Sequence, residues 1–362
     1  MSPGVDNGHE KSMVIFLGAG ASAKFGCPAT KAFMKNLSTT LKDEERSFLS
    51  SLRQLHNVKD IEHIIEILDS LFEMDRISIA SSMHDFFEQY KESVDFGKKV
   101  SYPQPLQGSI EWDKLVKLAR TLEGKITSAT FSEYQRKPRF FEKLKDYYGR
   151  FFSLIKPHMA GKREFEIFAT NYDHVIEDYC DQSGHALKYA VLEHTLQPQV
   201  IPASSEKYTL TKLHGSLNWV WNKQTEKIDV IDVQFPVPPD NELYGNTEFV
   251  LFGRKPNTAN PYPYGDMFDR FKNKLTQTDI CIIVGFAFRH EKINTIINES
   301  LVANKSLQLF VISTAPTKAI RRLVPQAKLR GALCKEKRIV PIKGSFGINK
   351  TLELLETKLA DS

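Results

Sequence analysis

Three short strings in this 362-residue sequence carry residue types that could bind a nucleotide and act on it. Gly18-Ala19-Gly20-Ala21-Ser22 follows an all-apolar run, and a loop of this kind lets the backbone approach a phosphate closely. Thr170-Asn171-Tyr172-Asp173 offers an amide and a carboxylate, and Leu213-His214-Gly215 offers an imidazole that can accept a proton near neutral pH. Together the strings predict a nucleotide site with chemistry on the bound nucleotide.

Each string also has a purely structural interpretation. The glycine loop lacks the usual GxGxxG spacing, because Gly26 is the next glycine after Gly20, so it is also compatible with a tight strand-to-helix turn. Asp173 could cap a helix over residues 175–179, and local backbone groups could satisfy the imidazole of His214. Taken one string at a time, the sequence leaves these alternatives open.

The spacing of apolar residues predicts the elements that must position the strings. Residues 13–17 form a buried parallel strand, Ser22 caps the helix that follows, and Pro28 interrupts that helix early. A hairpin is expected from the alternating runs 219–221 and 228–231. Further strands are predicted at 165–169, 208–213, 248–252, 280–284, 307–312 and 338–342, and helices at 175–179, 267–275, 291–301, 317–323 and 348–359.

The order of these elements predicts an α/β fold. Strands and helices alternate in the C-terminal third, which implies a Rossmann-like parallel sheet flanked by helices and joined by right-handed crossovers. Residues 40–160 are helical in pattern and are predicted as a large helical insertion, with Asp60 as a cap, within one domain spanning 13–362. Residues 1–12 are predicted to be a flexible N-terminal tail.

Aromatic residues are frequent on the predicted helices of this insertion. They indicate either a contact with another subunit or an internal helical core, and the sequence does not decide between the two. The residues concerned are Phe86, Phe87, Phe140, Phe141, Tyr147, Tyr148, Phe151 and Phe152.

Composition excludes several classes of protein. The net charge of +5 is too mild to predict direct nucleic-acid binding. Neither a signal peptide nor an apolar run of roughly 18 residues is present, so we expect a cytoplasmic protein without a membrane span. None of the four cysteines lies in a CxxC pair, so no zinc or other metal site is expected, and Cys281 is predicted to be a buried thiol.

The strings resemble the motifs of sirtuin-like (silent information regulator type) NAD⁺-consuming proteins. Residues 18–28 are similar to their Gly-Ala-Gly-x-Ser loop with its following Gly-x-Pro. Residues 170–173 resemble their Thr-Gln-Asn-Ile-Asp string, and residues 213–215 resemble their catalytic His-Gly. Residues 283–294 and 60–62 are similar to the NAD⁺ hydrolases of the bacterial antiphage-defence branch.

The resemblance implies a role for each matching residue. Asn171 would orient the nicotinamide ribose and a water, Asp173 would hold the nicotinamide carboxamide, and His214 would be the general base. The glycine loop would contact the pyrophosphate, and loops further along the chain would line the adenosine end. The implied dinucleotide-binding residues are Gly18, Ala19, Gly20, Ser22, Gly26, Pro28, Thr170, Gly285, Phe286, Ala287, Ser313, Ser345 and Phe346, with Gly344 beside them.

The resemblance further implies that NAD⁺ is the substrate and is cleaved to nicotinamide and ADP-ribose, as an NAD⁺-depleting effector of antiphage defence. Sirtuin deacylases carry a zinc module with two CxxC pairs, which this sequence lacks, so hydrolysis is favoured over protein deacylation or ADP-ribosyl transfer. A non-catalytic sensor of NAD⁺ or ADP-ribose is an alternative of another class, and an oxidoreductase is the weakest alternative.

Free NAD⁺ hydrolysis would harm the cell, so control by assembly is expected. The resemblance implies a homo-oligomer or a separate defence partner such as a motor ATPase, because the sequence has no Walker-type phosphate loop. The sequence leaves the trigger, the partner, the oligomer size and the choice between NAD⁺ and NADP⁺ undecided.

Overall fold

The computed structural model describes most of the chain. The described residues are 11–55, 61, 64–65, 67–68, 71–72, 112–135, 137–159, 164–190, 192, 195–196, 206–222, 227–230, 248–251 and 264–361. The predictions for Asp60, Phe86 and Phe87 fall outside these residues.

Eight of the described strands form one sheet. They are β1 Met13–Leu17, β2 Glu164–Ala169, β3 Ala186–Tyr189, β4 Thr195–Leu196, β5 Lys207–Lys212, β9 Ile280–Val284, β10 Gln308–Ser313 and β11 Ile339–Lys343. Their order is β11-β10-β9-β1-β2-β5-β3-β4, and every neighbouring pair is parallel except β3 with β4. The predicted Rossmann-like parallel sheet is therefore confirmed.

The first strand lies at the centre of this sheet. All five residues of β1 are buried, and the strand pairs with β2 on one side and β9 on the other, as its unbroken apolar sequence predicts. Strand β11 carries Pro341, which is tolerated because β11 is an edge strand. The strands from β2 to β5 lie on one side of β1 and the strands from β9 to β11 lie on the other. Such a reversal of strand order is where ligands bind in open α/β folds.

A second, three-stranded sheet contains the predicted hairpin. It consists of β6 Gly215–Asn222, β7 Lys227–Val230 and β8 Glu248–Leu251, in the order β7-β6-β8. Strands β6 and β7 are antiparallel, with Trp219 opposite Val230, so the hairpin prediction is confirmed.

Helices connect the strands along the chain. The described helices are α1 Thr30–Thr40, α2 Asp43–Leu55, α3 Trp112–Tyr134, α4 Phe141–Ile155, α5 Val175–Ser183, α6 Tyr264–Thr276, α7 Glu291–Ala303, α8 Pro316–Leu323, α9 Ala327–Lys335 and α10 Asn349–Ala360. The sequence prediction missed β3, β4 and α9. All three are short, and α9 also contains a glycine.

The chain divides into two compact units. One comprises residues 1–29, 134–232 and 247–362 and contains both sheets. The other comprises residues 30–133 and 233–246, and its described part is helical, with an ion pair of 2.6 Å between Lys125 and Glu45. The predicted limits of the insertion, residues 40 and 160, stay predictions.

Aromatic side chains fill the space between α4, α5 and the sheet. Tyr147, Tyr148, Phe151 and Phe152 of α4 are buried. The ring of Phe152 lies 4.8 Å from that of Phe165 on β2, centroid to centroid. For these four residues the internal core is the observed arrangement, whereas Phe140 and Phe141 are only half-buried.

Two loops at the carboxyl edge of the sheet meet through their backbones. The N–H of Gly20 donates to the carbonyl of Gly285 over 3.0 Å. A Cβ on Gly18 would lie 2.6 Å from the Cα of Phe286, and one on Gly20 would lie 2.7 Å from the Cα of Gly285. Gly285 also has a left-handed backbone, with φ of 64°. The glycines therefore permit a close loop-to-loop contact between the ends of β1 and β9.

We expect Gly285→Ala to lower the free energy of unfolding by about 2–4 kcal/mol, because the new methyl group meets the Gly20 backbone and the left-handed φ is strained. Denaturant unfolding measures the change. Gly331→Ala is the matched control, since that glycine lies within α9 with nothing near its Cβ position, and it should gain about 0.5–1 kcal/mol. Equal effects of the two substitutions would contradict the packing argument.

Candidate functional site

The candidate side chains lie on loops at one edge of the parallel sheet. Because β1, β2, β5, β9, β10 and β11 are parallel, their carboxyl ends meet at the same edge. The segments that follow these strands begin at Gly18, Thr170, Leu213, Gly285, Thr314 and Gly344. All three strings singled out in the sequence are therefore on the same side of the sheet.

The glycine loop continues as two short 3₁₀ turns, Ala19–Ala21 and Ala23–Phe25, before α1 begins. Ser22 was predicted to cap the following helix, and that prediction is wrong, because its side chain makes no capping hydrogen bond. The hydroxyl of Ser22 instead accepts a hydrogen bond of 3.0 Å from Nδ2 of Asn171. A tertiary partner thus takes the place of the local cap.

The residues that end the glycine loop are held by the segment before α4. Lys137 Nζ donates to the carbonyl of Gly26 over 2.7 Å, and the hydroxyl of Tyr134 donates to the carbonyl of Pro28 over 2.9 Å. The left-handed φ of 94° at Gly26 places its backbone against the ring of Phe140. Gly26 and Pro28 therefore shape the loop, and their contact with a ligand stays a prediction.

Asn171 connects the loop after β2 to the loop after β1. Its side chain is 8% exposed, and its Nδ2 donates to the carbonyl of Gly18 over 3.1 Å and to the hydroxyl of Ser22. Its Oδ1 is buried and has no hydrogen-bond partner among the residues that the structure describes. A buried acceptor in this state is costly unless a ligand or water supplies a donor. Thr170, just before it, is half-buried and bonds through its N–H to Leu17.

Asp173 lies deeper in the same loop. Its carboxylate accepts the N–H of Val175 over 3.1 Å at the start of α5, so the predicted helix-capping alternative describes part of what it does. Burial raises the pKa of Asp173 above its ordinary value, and the nearby charge of Lys212 and a hydrogen bond from Ser22 oppose that rise. Ser22, Asn171 and Asp173 thus form one hydrogen-bonded group.

His214 lies in the turn between β5 and β6, where Gly215 has a φ of 85°. The imidazole is 6% exposed, and its centroid lies 6.3 Å from the ring of Tyr172, between Asn171 and Asp173 in sequence. It also lies 5.0 Å from the ring of His290. His290 is the N-cap residue of α7, and its Nδ1 accepts the N–H of Ile293 over 3.3 Å.

The residues predicted for the adenosine end are spread over three further loops. Phe286 is buried against Phe16, at 4.9 Å between ring centroids, whereas Ala287 is exposed and its carbonyl accepts a hydrogen bond of 3.0 Å from Arg322. The hydroxyl of Ser313 accepts the N–H of Ala315 over 3.2 Å. These residues lie at the same edge of the sheet, and their ligand contacts stay predictions.

The last predicted pair follows β11. Phe346 is buried, and its ring lies 4.9 Å from Tyr147 and 5.1 Å from Phe151, which makes it part of the aromatic core. Ser345 is half-buried, and its carbonyl accepts a hydrogen bond of 2.9 Å from Thr351. The sequence prediction for Phe346 did not anticipate this core position.

Two charged residues below the loops escaped the sequence analysis. Lys212 and Glu177 are both almost fully buried and form an ion pair of 2.7 Å. Burial works against the charge of Glu177, but the charge and hydrogen bond of Lys212, together with His174, hold the pKa of that carboxyl below its ordinary value. A single lysine in a strand gives no distinctive sequence signal, so only the structure shows this pair.

The described part of the chain holds no cluster of three or more His, Cys, Asp or Glu side chains that could bind a metal ion. Within that part, no helix is both long and apolar enough to cross a membrane. Cys281 is buried as predicted, and burial raises the pKa of its thiol.

Residues 166–342 match a SIR2-like domain. The matched segment covers just under half of the chain and contains Asn171, Asp173 and His214, but not the glycine loop. No curated protein matches the chain at a significant level.

Solved structures similar to the chain include Sir2 proteins. A Sir2 homologue in complex with NAD shares 13% identity at a TM-score of 0.42, with 98% of this chain and 91% of that chain covered. A mutant Sir2 homologue in complex with ADP-ribose shares 13% identity at a TM-score of 0.45, with 98% and 94% covered.

We expect Asp173→Asn to be at least as stable as the natural protein at neutral pH. The raised pKa means that the folded state binds a proton that the unfolded chain releases, so the stability of the natural protein falls as pH rises through that window. The Asn variant keeps an oxygen for the N–H of Val175 but carries no buried charge. Denaturant unfolding between acidic and neutral pH measures the difference, which should vanish below the ordinary pKa of Asp.

The matched control is Asp181→Asn, which changes an exposed carboxylate on α5 and should leave stability nearly unchanged throughout. A marked loss of stability in Asp173→Asn at neutral pH would show that the ionised carboxylate is favoured by the fold.

Proposed function

We propose that this protein hydrolyses the nicotinamide–ribose bond of NAD⁺ and releases nicotinamide and ADP-ribose. One arrangement carries the proposal: Asn171 and Asp173 meet Ser22 of the glycine loop, and His214 follows the adjacent strand at the same edge. The SIR2-like match includes Asn171, Asp173 and His214 and supports NAD⁺ as the ligand.

The proposed binding mode follows the order of the loops. The pyrophosphate and adjoining ribose contact the loop at residues 18–22, and the adenosine end lies toward the loops after β9, β10 and β11. The carboxamide of nicotinamide donates a hydrogen bond to the carboxylate of Asp173. The unpaired Oδ1 of Asn171 accepts a hydrogen bond from water or from a ribose hydroxyl.

The proposed reaction needs a base but no acid. The bond between C1′ of the ribose and N1 of the pyridine ring breaks with both electrons leaving on nitrogen, so nicotinamide departs as a neutral molecule. The sugar passes through a cation-like centre, as in other glycosidic cleavages. Water attacks C1′, its proton passes to His214, and His214 then releases that proton to solvent.

Hydrolysis is favoured over transfer to a protein by the sequence. Sirtuin deacylases hold their zinc module with two CxxC pairs, and this chain has none. With the resemblance to the bacterial defence branch, this supports a role as an NAD⁺-depleting effector of antiphage defence.

We expect the purified protein to convert NAD⁺ into nicotinamide and ADP-ribose with no added acceptor, as measured by chromatography of the products. His214→Ala should slow this conversion by roughly 10²–10⁴-fold, since it removes the base. Asn171→Ala should also abolish most of it, because orientation of water and ribose is lost.

The matched controls are His185→Ala and Asn298→Ala. His185 precedes β3 and so lies at the opposite edge of the sheet. Asn298 lies within α7, and its side chain donates to the carbonyl of Leu323 over 2.8 Å. Both should retain near-normal turnover. Near-normal turnover in the His214 and Asn171 variants would refute the assigned roles, and tight binding without product in the natural protein would favour a sensor.

We also propose that activity is controlled by assembly, because unrestrained NAD⁺ loss is toxic. Sedimentation alongside the product assay tests this, and the active fraction is expected to be a homo-oligomer or a complex with a separate defence partner. A strict monomer with full activity would contradict control by assembly.

A further inference from the structure

The ammonium group of Lys212 sits beneath the candidate site, two residues before His214. Its side chain is 2% exposed. It donates to the carbonyls of Tyr172 and Asp173, to the hydroxyl of Ser216 at 2.9 Å and to the carboxylate of Glu177 at 2.7 Å. One side chain on β5 therefore holds the loop after β2, the helix α5 and the strand β6.

Stability alone does not explain a buried lysine at this point. Desolvating an ammonium and a carboxylate is expensive, and well-packed apolar side chains often replace such a pair without loss of stability. Two of the oxygens around Lys212 are backbone carbonyls of the loop that carries Asn171 and Asp173. The contacts thus fix the backbone of that loop relative to the strand that leads to His214.

We propose that Lys212 is a positioning residue that fixes Asn171 and Asp173 relative to His214 and so determines how the nicotinamide end of the dinucleotide is held. The inference rests on the proposed function, because that function assigns the nicotinamide end to these residues. Lys212 acts through the loop and makes no contact with the reacting atoms.

The charge of Lys212 has a second consequence for Asp173. The groups that interact with this carboxyl are Lys212 from β5, Glu177 from α5, Tyr148 from α4, Ser22 and Cys27. His174, next to it in sequence, interacts with Glu177. Burial raises the pKa of Asp173, and Lys212 is the strongest opposing influence. Without Lys212 the carboxyl would take up a proton at a higher pH, and it would then accept the carboxamide N–H more weakly because the negative charge is lost.

The test compares two ligands that differ at the nicotinamide end. Carba-NAD⁺, which resists hydrolysis, carries nicotinamide, whereas ADP-ribose lacks it. Calorimetry measures their dissociation constants from about pH 6 to about pH 8, which is about one pH unit on either side of neutral. The proteins are the natural chain, Lys212→Met, Lys212→Arg and the control Lys156→Met, which breaks an ion pair with Glu206 at the amino end of β5.

We expect Lys212→Met to weaken carba-NAD⁺ binding by about tenfold or more relative to ADP-ribose, the size of a lost hydrogen bond to a charged group. The loss should be larger at the acidic end of the range. Lys212→Arg keeps the charge and should recover part of the affinity, and Lys156→Met should change neither ligand.

Equal weakening of both ligands by Lys212→Met, or no weakening, would overturn the inference. If Lys212→Met does not fold, because Glu177 is left buried without its partner, the double variant Lys212→Met/Glu177→Gln removes both charges, and the same ligand difference is expected of it. Failure of hydrolysis by the natural protein would end the proposed function and leave this binding result standing. If the natural protein hydrolyses NAD⁺ but Lys212→Met leaves the ratio of the two dissociation constants unchanged, only this inference is contradicted.

Discussion

The whole site depends on a backbone contact that only glycine permits. Gly18 and Gly20 lie directly against Gly285 and Phe286, which locks the loop after β1 to the loop after β9. Asn171 is attached to this joined unit, since its amide donates to the carbonyl of Gly18. Any side chain larger than hydrogen at these glycines would move the loops apart and carry the candidate residues with them.

The charged side chains of the site are buried and interact with one another rather than with water. Asp173, Glu177 and Lys212 are nearly inaccessible, and the lysine opposes the burial of both carboxyls. The pKa of Asp173 is raised and the pKa of Glu177 is lowered. They differ because the carboxylate of Glu177 pairs directly with Lys212, whereas Asp173 contacts Lys212 mainly through its backbone carbonyl. Opposite pKa shifts in neighbouring groups are typical of binding and catalytic sites, where the fold tolerates a local loss of stability.

Helices and strands could be predicted from the sequence where a local pattern of apolar residues was enough to identify them. Parallel strands buried on both faces leave unbroken apolar runs, so β1 and β9 are evident in the sequence. Strand β3 and helix α9 were missed because they are short and partly polar. Ser22 was assigned to a helix cap by a local rule, and the structure overrides that rule because Asn171 competes for the same hydroxyl.

The sequence by itself determined the residue types of the candidate site and the strand ends that carry them, because apolar runs and the motifs after them are local features. The tertiary structure decided which residues touch: Ser22 with Asn171, His214 with His290, and Lys212 with the carbonyl of Asp173. These contacts join segments that are far apart along the chain, and the packing of a sheet whose strand order differs from the chain order is what brings them together.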